Sequence, residues 1–180
     1  ESWKELGVVK RVELLQKFYD ELLKHKDELG NLVSQEMGMP KSVRDLIEID
    51  AALEYFKWYL ENAEKYLASE VTFEDEKVIH TVFYEPTGTA VVISPWNFPV
   101  CNFVWGVIPN LVVGNTVVFK HSEECPLVGK RLEEIIKGCN FPEGVFSEIY
   151  GDGKIGDFLV HQEIDLICFT GSTKTGKYLY

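Results

Sequence analysis

Between Thr89 and Gly171 four short, almost wholly apolar runs, TAVVIS (89–94), TVVFK (116–120), VFSEIY (145–150) and LICFTG (166–171), are separated by stretches of helical character. Those stretches are 99–113, the run from Pro126 to Lys137, and 154–161. A strand that is apolar on both faces has to be covered on both faces, and strands joined through helices run parallel. The pattern predicts a doubly wound α/β unit. Gly138 after the second helix and FPEG (141–144) before the third strand supply the stop and turn signals such a unit needs.

The first seventy residues read differently. Val12, Leu15, Phe18, Leu22, Leu29, Leu32 and Val33 fall at helical spacing until Pro40 breaks the run. A second stripe, Val43, Leu46, Ile49, Leu53, Phe56, Leu60, Ala63 and Leu67, follows Ser42, a plausible cap. Residues 1–70 are therefore expected to form a helical hairpin packed on the α/β unit. From 71 to 84 the period changes to two on either side of an EDEK turn, which predicts a protruding β-hairpin able to pair with another chain. Residues 85–180 carry the α/β unit.

Charge and cysteine content narrow the function classes. Eighteen basic against 29 acidic side chains give a net charge of −11, which repels nucleic acid and anionic lipid. No apolar run is long enough to span a bilayer and the N-terminal residues do not resemble a secretion signal, so a soluble, cytoplasmic protein is expected. Cys101, Cys125, Cys139 and Cys168 show no paired spacing and no metal-ligand register with histidine, and are read as reduced thiols serving packing.

In an open parallel sheet ligands bind beyond the carboxyl ends of the strands. Here those ends run into SPWNFP (94–99), Lys120, GDGKIG (151–156) and FTGSTKTG (169–176). Gly171, Ser172 and Gly176, between a strand and a helix, suit either a pyrophosphate or an ordinary strand–helix turn. Lys120 and Glu123 can donate to and accept from the two hydroxyls of a ribose, or serve as a strand end and a helix cap. Asn97, stiffened by Pro95 and Pro99, is either an oxyanion donor or a turn residue.

Taken together, YEPTG (84–88), SPWNFP (94–99), WGVIPNLVVGNTVVFK (105–120), EECP (123–126), FPEGVF (141–146), GDG (151–153) and FTGSTKTG (169–176) resemble the aldehyde dehydrogenase superfamily in order and spacing, across essentially the whole chain. The resemblance implies a Rossmann-like dinucleotide-binding domain, incomplete over 85–180 and without the catalytic domain. It implies Asn97 as the oxyanion-hole amide, with Ile93, Ser94, Pro95 and Trp96 flanking the cofactor. Lys120 and Glu123 would hold the adenosine ribose, Gly151 would border the adenine pocket, and Gly171 and Ser172 would meet the pyrophosphate. The 71–84 hairpin would assemble a homodimer or homotetramer.

The activity implied is NAD(P)-dependent oxidation of an aldehyde to a carboxylic acid. NAD is expected over NADP, because a carboxylate at Glu123 accepts from a 2′-hydroxyl but repels a 2′-phosphate. By the same resemblance the nucleophilic cysteine and general-base glutamate lie downstream, so the chain reads as the N-terminal part of a longer enzyme and is expected to be inactive alone. An inert dinucleotide-binding or oligomerisation module and a CoA-dependent acylating enzyme are the alternatives. Two positions depart from the family pattern: Gly106 stands where many relatives carry lysine, and His121 where many carry proline. The Lys120–His121 pair is similar to some succinate semialdehyde dehydrogenases, which points to a semialdehyde substrate. His121 itself reads either as a contact at the adenosine edge or as a surface turn.

Overall fold

The computed structural model describes residues 2–179; Glu1 and Tyr180 lie outside the described residues. Helices α1 (Ser2–Glu5), α2 (Gly7–Lys24) and α3 (Lys26–Met37) come first. The apolar stripe buries as its spacing requires: Leu15, Phe18, Leu22, Leu29 and Val33 are all in the core. Gly38, in the left-handed region at φ 67°, closes α3.

The next rod consists of α4 (Lys41–Arg44), a π-helical segment Asp45–Asp50 and α5 (Ala51–Leu67) in unbroken helical backbone. Here the structure corrects the sequence reading. Val43 and Leu46 point to solvent, whereas Arg44 and Glu48 are buried with Ile49, Leu53 and Phe56. A π turn inserts a residue into the helical repeat, so the face that is buried upstream of it is rotated. The cap is Pro40 in extended conformation, not Ser42. Phe18 stands edge-on to Phe56 at 5.6 Å and to Phe103 at 5.9 Å, joining both helical layers to the α/β unit.

Strands β1 (Glu70–Glu74) and β2 (Ile79–Val82) form an antiparallel hairpin whose residues are exposed except for half-buried Thr81. Then β3 (Thr89–Ile93), α6 (Pro99–Val113), β4 (Thr116–Lys120), α7 (Pro126–Gly138), β5 (Phe146–Glu148), α8 (Gly153–Val160), β6 (Leu166–Phe169) and α9 (Thr173–Leu179) alternate. The strands make one parallel sheet in the order β5-β4-β3-β6. This is the expected α/β unit.

Buried Arg11 and Glu48 and half-buried Glu36, all from the N-terminal helices, meet the ends of the first two sheet helices. Glu48 accepts from the amides of Val100 (2.5 Å) and Cys101 (3.4 Å) at the N-terminus of α6. Arg11 donates to the carbonyls of Val112 (3.0 Å) and Val113 (3.3 Å) at its C-terminus. Glu36 accepts from Leu127 and Val128 at the N-terminus of α7, at 2.8 and 2.9 Å. Each side chain satisfies groups that the helix end leaves open, and Arg11 and Glu36 carry the sign that opposes the dipole they face.

Candidate functional site

Sheet order places the crevice. From β3 the chain moves outward through β4 to β5, and then returns to the opposite side of β3 to add β6. The segments following β3 and β6 therefore diverge at the point where an open parallel sheet offers a ligand its groove. Register keeps the ends level: Ile93 pairs with both Lys120 and Phe169. Ser94 N donates to Lys120 O at 3.2 Å and Thr170 N to Ile93 O at 3.0 Å, carrying the ladder one step past the strands.

A cleft of about 600 Å³ occupies this position, lined by Pro95, Trp96, Asn97, Phe98, Asn102, Trp105, Thr170, Gly171 and Ser172. Five sequence-predicted residues, Asn97, Pro95, Trp96, Gly171 and Ser172, are thus brought to one wall or the other. Asn97 is exposed there, two residues ahead of the first turn of α6. At Gly171 a Cβ would stand 2.4 Å from the Phe169 ring, so a larger residue there would have to displace that ring. Ser172 Oγ accepts from Thr175 N at 3.1 Å and so caps α9. Asn102, buried at the cleft, has an amide nitrogen with no hydrogen-bond partner among the described residues, and the hydroxyl of buried Ser94 likewise has none among them. Sequence reasoning missed Asn102, which lies in an apolar helix and carries no motif of its own.

Of the other predicted residues, Ile93 ends β3 and Ser94 follows it, while Lys120, Glu123 and Gly151 form a second group near the ends of β4 and β5; none of the five is in the lining of that cleft. Lys120 is 4% exposed, donates from Nζ to His121 O at 3.0 Å, and stands 3.7 Å from Glu123 Oε2. The ammonium and the half-exposed carboxylate are adjacent, as a donor and an acceptor for a diol must be. Helix α8 lies over them through Gly156, where a Cβ would come within 3.8 Å of Ile93 and Lys120. Gly151 follows β5 at φ +149°, and a Cβ there would stand 2.4 Å from Ile155. Its backbone conformation is open chiefly to glycine. His121 is no surface turn: it is 1% exposed and bonded to Glu148, another residue that sequence reasoning passed over. Gly106 has a packing reason, because Val92 occupies the space of its Cβ at 2.5 Å.

The cysteines stand apart from the cleft. Burial pushes the Cys101 thiol far up, Cys125 up to about 12 and Cys139 up to about 11, so at neutral pH none of these three is a thiolate. All four are free. The described residues hold no cluster of three metal-ligating side chains and no helix long and apolar enough to cross a membrane.

Strand order, a crevice at the reversal point, and glycines baring the backbone at two strand ends define a Rossmann-like α/β protein. The chain belongs to the aldehyde dehydrogenase family, whose sequence profile matches residues 1–180. It is 36% identical to the NADP/NAD-dependent aldehyde dehydrogenase PuuC of Escherichia coli, over 99% of this chain and 36% of that protein. It is 34% identical to 2-hydroxymuconic semialdehyde dehydrogenase of a Pseudomonas species, over 97% of this chain and 37% of that one. The NAD+ complex of an aldehyde dehydrogenase from Bacillus cereus superposes with a TM-score of 0.92 at 31% identity, over 98% of this chain and 36% of that chain. The chain spans a little more than a third of the length of these proteins.

Proposed function

We propose that these residues form the cofactor-holding part of an NAD-dependent enzyme that oxidises an aldehyde, of semialdehyde type, to a carboxylic acid in the cytoplasm. The observation that carries the reading is the convergence of Asn97, Gly171 and Ser172 on one cleft at the sheet's reversal point, with Lys120 and Glu123 at the next strand end. The residues present fit a dinucleotide. Gly151 and Gly171 leave the backbone bare at two strand ends, the Lys120–Glu123 pair offers one donor and one acceptor to a ribose, and the cleft lining holds, among the described residues, an orphaned buried amide nitrogen in Asn102.

In this reading Gly171 and Ser172 meet the pyrophosphate, Ile93 to Trp96 flank the cofactor, and Gly151 borders the adenine. NAD supplies the hydride acceptor. Asn97 donates from its side-chain amide to the oxygen of the aldehyde as that oxygen gains charge, a term worth about 3–4 kcal/mol at comparable sites. None of the three cysteines buried with raised pKa serves as nucleophile, and Cys168 sits in β6, outside the cleft lining. The nucleophile and the base that activates water are therefore assigned to residues other than these four; overall, aldehyde, water and NAD+ would give the carboxylic acid, NADH and a proton.

The test is aldehyde-dependent NADH formation by the full-length gene product. Turnover with NAD is expected, with Asn97→Ala lowering kcat by about 10²–10³-fold while NAD affinity holds. NAD binding without turnover on any aldehyde would favour an inert binding module, and a strict requirement for CoA would favour the acylating reaction.

A further inference from the structure

The buried pair beside Lys120 has no role in the chemistry described above. His121 Nδ1 stands 2.6 Å from Glu148 Oε1, with side chains 1% and 0% exposed. His121 Nε2 and Glu148 Oε2 have no hydrogen-bond partner among the described residues, so each side chain depends on this one contact. Gly129 of α7 makes room for it. A Cβ at that position would meet Glu148 Oε1 at 2.5 Å and His121 Nδ1 at 2.7 Å. The Phe119 ring stands edge-on to the imidazole at 4.5 Å. In such a water-poor setting a hydrogen bond is strong, and removing either partner strands the other.

Position gives the pair its meaning. His121 is the first residue beyond β4 and Glu148 is the last of β5, so their bond ties two neighbouring strand ends, next to the Ile149 N to Phe119 O bond of 2.8 Å. The carbonyl of His121 is the acceptor that holds Lys120 Nζ. A fixed imidazole therefore fixes the peptide on which the ammonium rests. We propose that His121 and Glu148 are positioning residues: their bond orients the His121 carbonyl and through it Lys120 Nζ, and so sets how tightly the adenosine-ribose hydroxyls of the dinucleotide are held. The inference rests on the NAD reading of the site.

The experiment compares, by calorimetry on the full-length gene product, the Kd for NAD with that for an NAD analogue lacking both adenosine-ribose hydroxyls. The wild type should prefer NAD by about tenfold or more, the magnitude of a hydrogen bond to a charged group. Lys120→Met and His121→Phe should each bring that ratio toward one, and the two together should do no more than either alone. His121→Asn, which keeps a side-chain nitrogen near the place of Nδ1, should restore most of it. Should His121→Phe fail to fold, Glu148→Met, which removes the acceptor for Nδ1 at similar length, carries the same comparison and should lower the ratio in the same direction.

A variant that weakens both ligands equally and leaves the ratio intact would show a packing role alone and overturn the proposal, even though NAD binding stands. A wild type that does not bind NAD would overturn the cofactor reading and this inference with it.

Discussion

Glu48 is pulled two ways. The amides of Val100 and Cys101 favour its charged form, but burial opposes it more strongly and raises its pKa from 4.5 to about 7. The folded carboxyl holds its proton more tightly than the unfolded one, so folding takes up a proton between those two values. Stability should then be greatest below about pH 4.5, as far as this group alone is concerned, and fall by roughly 3 kcal/mol as pH rises to 7 and beyond. Glu48→Gln keeps an acceptor for the helix amides and removes the titration. Chemical denaturation from pH 5 to 8 should show a flatter profile for the variant, and an identical slope would mean that Glu48 titrates normally. Nothing in the sequence marks this residue, because its burial depends on the π turn around it. Asn97, Lys120 and Glu123, by contrast, were legible as candidates from their places at strand ends.

At the scale of elements, the parallel sheet and its helices were legible because strands buried on both faces have to be apolar throughout and glycine and proline mark their limits. β5 is shorter than the run VFSEIY suggested, with Val145 and Ile149 each contributing one further bond to β4. The helix 41–67 was legible in extent but not in facing. A regular repeat predicts Val43 and Leu46 inside, and one inserted residue puts them outside. The β1–β2 hairpin leaves Phe73 48% and Ile79 60% exposed, more apolar surface than an isolated two-stranded ribbon needs to show water. We propose that this arm serves subunit assembly, as the homodimer or homotetramer that the sequence suggested. Deleting residues 71–84 from the full-length protein should lower its sedimentation coefficient, and an unchanged value would count against that assignment.

Across the whole molecule, the N-terminal helices and the sheet form one core rather than two. Trp3 Nε1 donates to Leu111 O at 3.1 Å, and Arg11, Glu36 and Glu48 reach from the first fifty residues to the ends of α6 and α7. These long-range pairs were not legible, since each depends on where a distant helix ends. They hold α6 and α7, whose N-termini face the same strand ends as the cleft. Sheet order adds what the sequence could only suggest: β6 on the far side of β3 opens the crevice between the segments that carry Asn97 and Gly171. The measurement that tests this arrangement most directly is amide hydrogen exchange of the full-length protein with and without saturating NAD. Protection is expected at residues 93–97, 120–123, 151–156 and 170–176, with the β1–β2 hairpin unchanged. Protection that is missing from these strand ends, or that falls elsewhere in these 180 residues, would contradict the site.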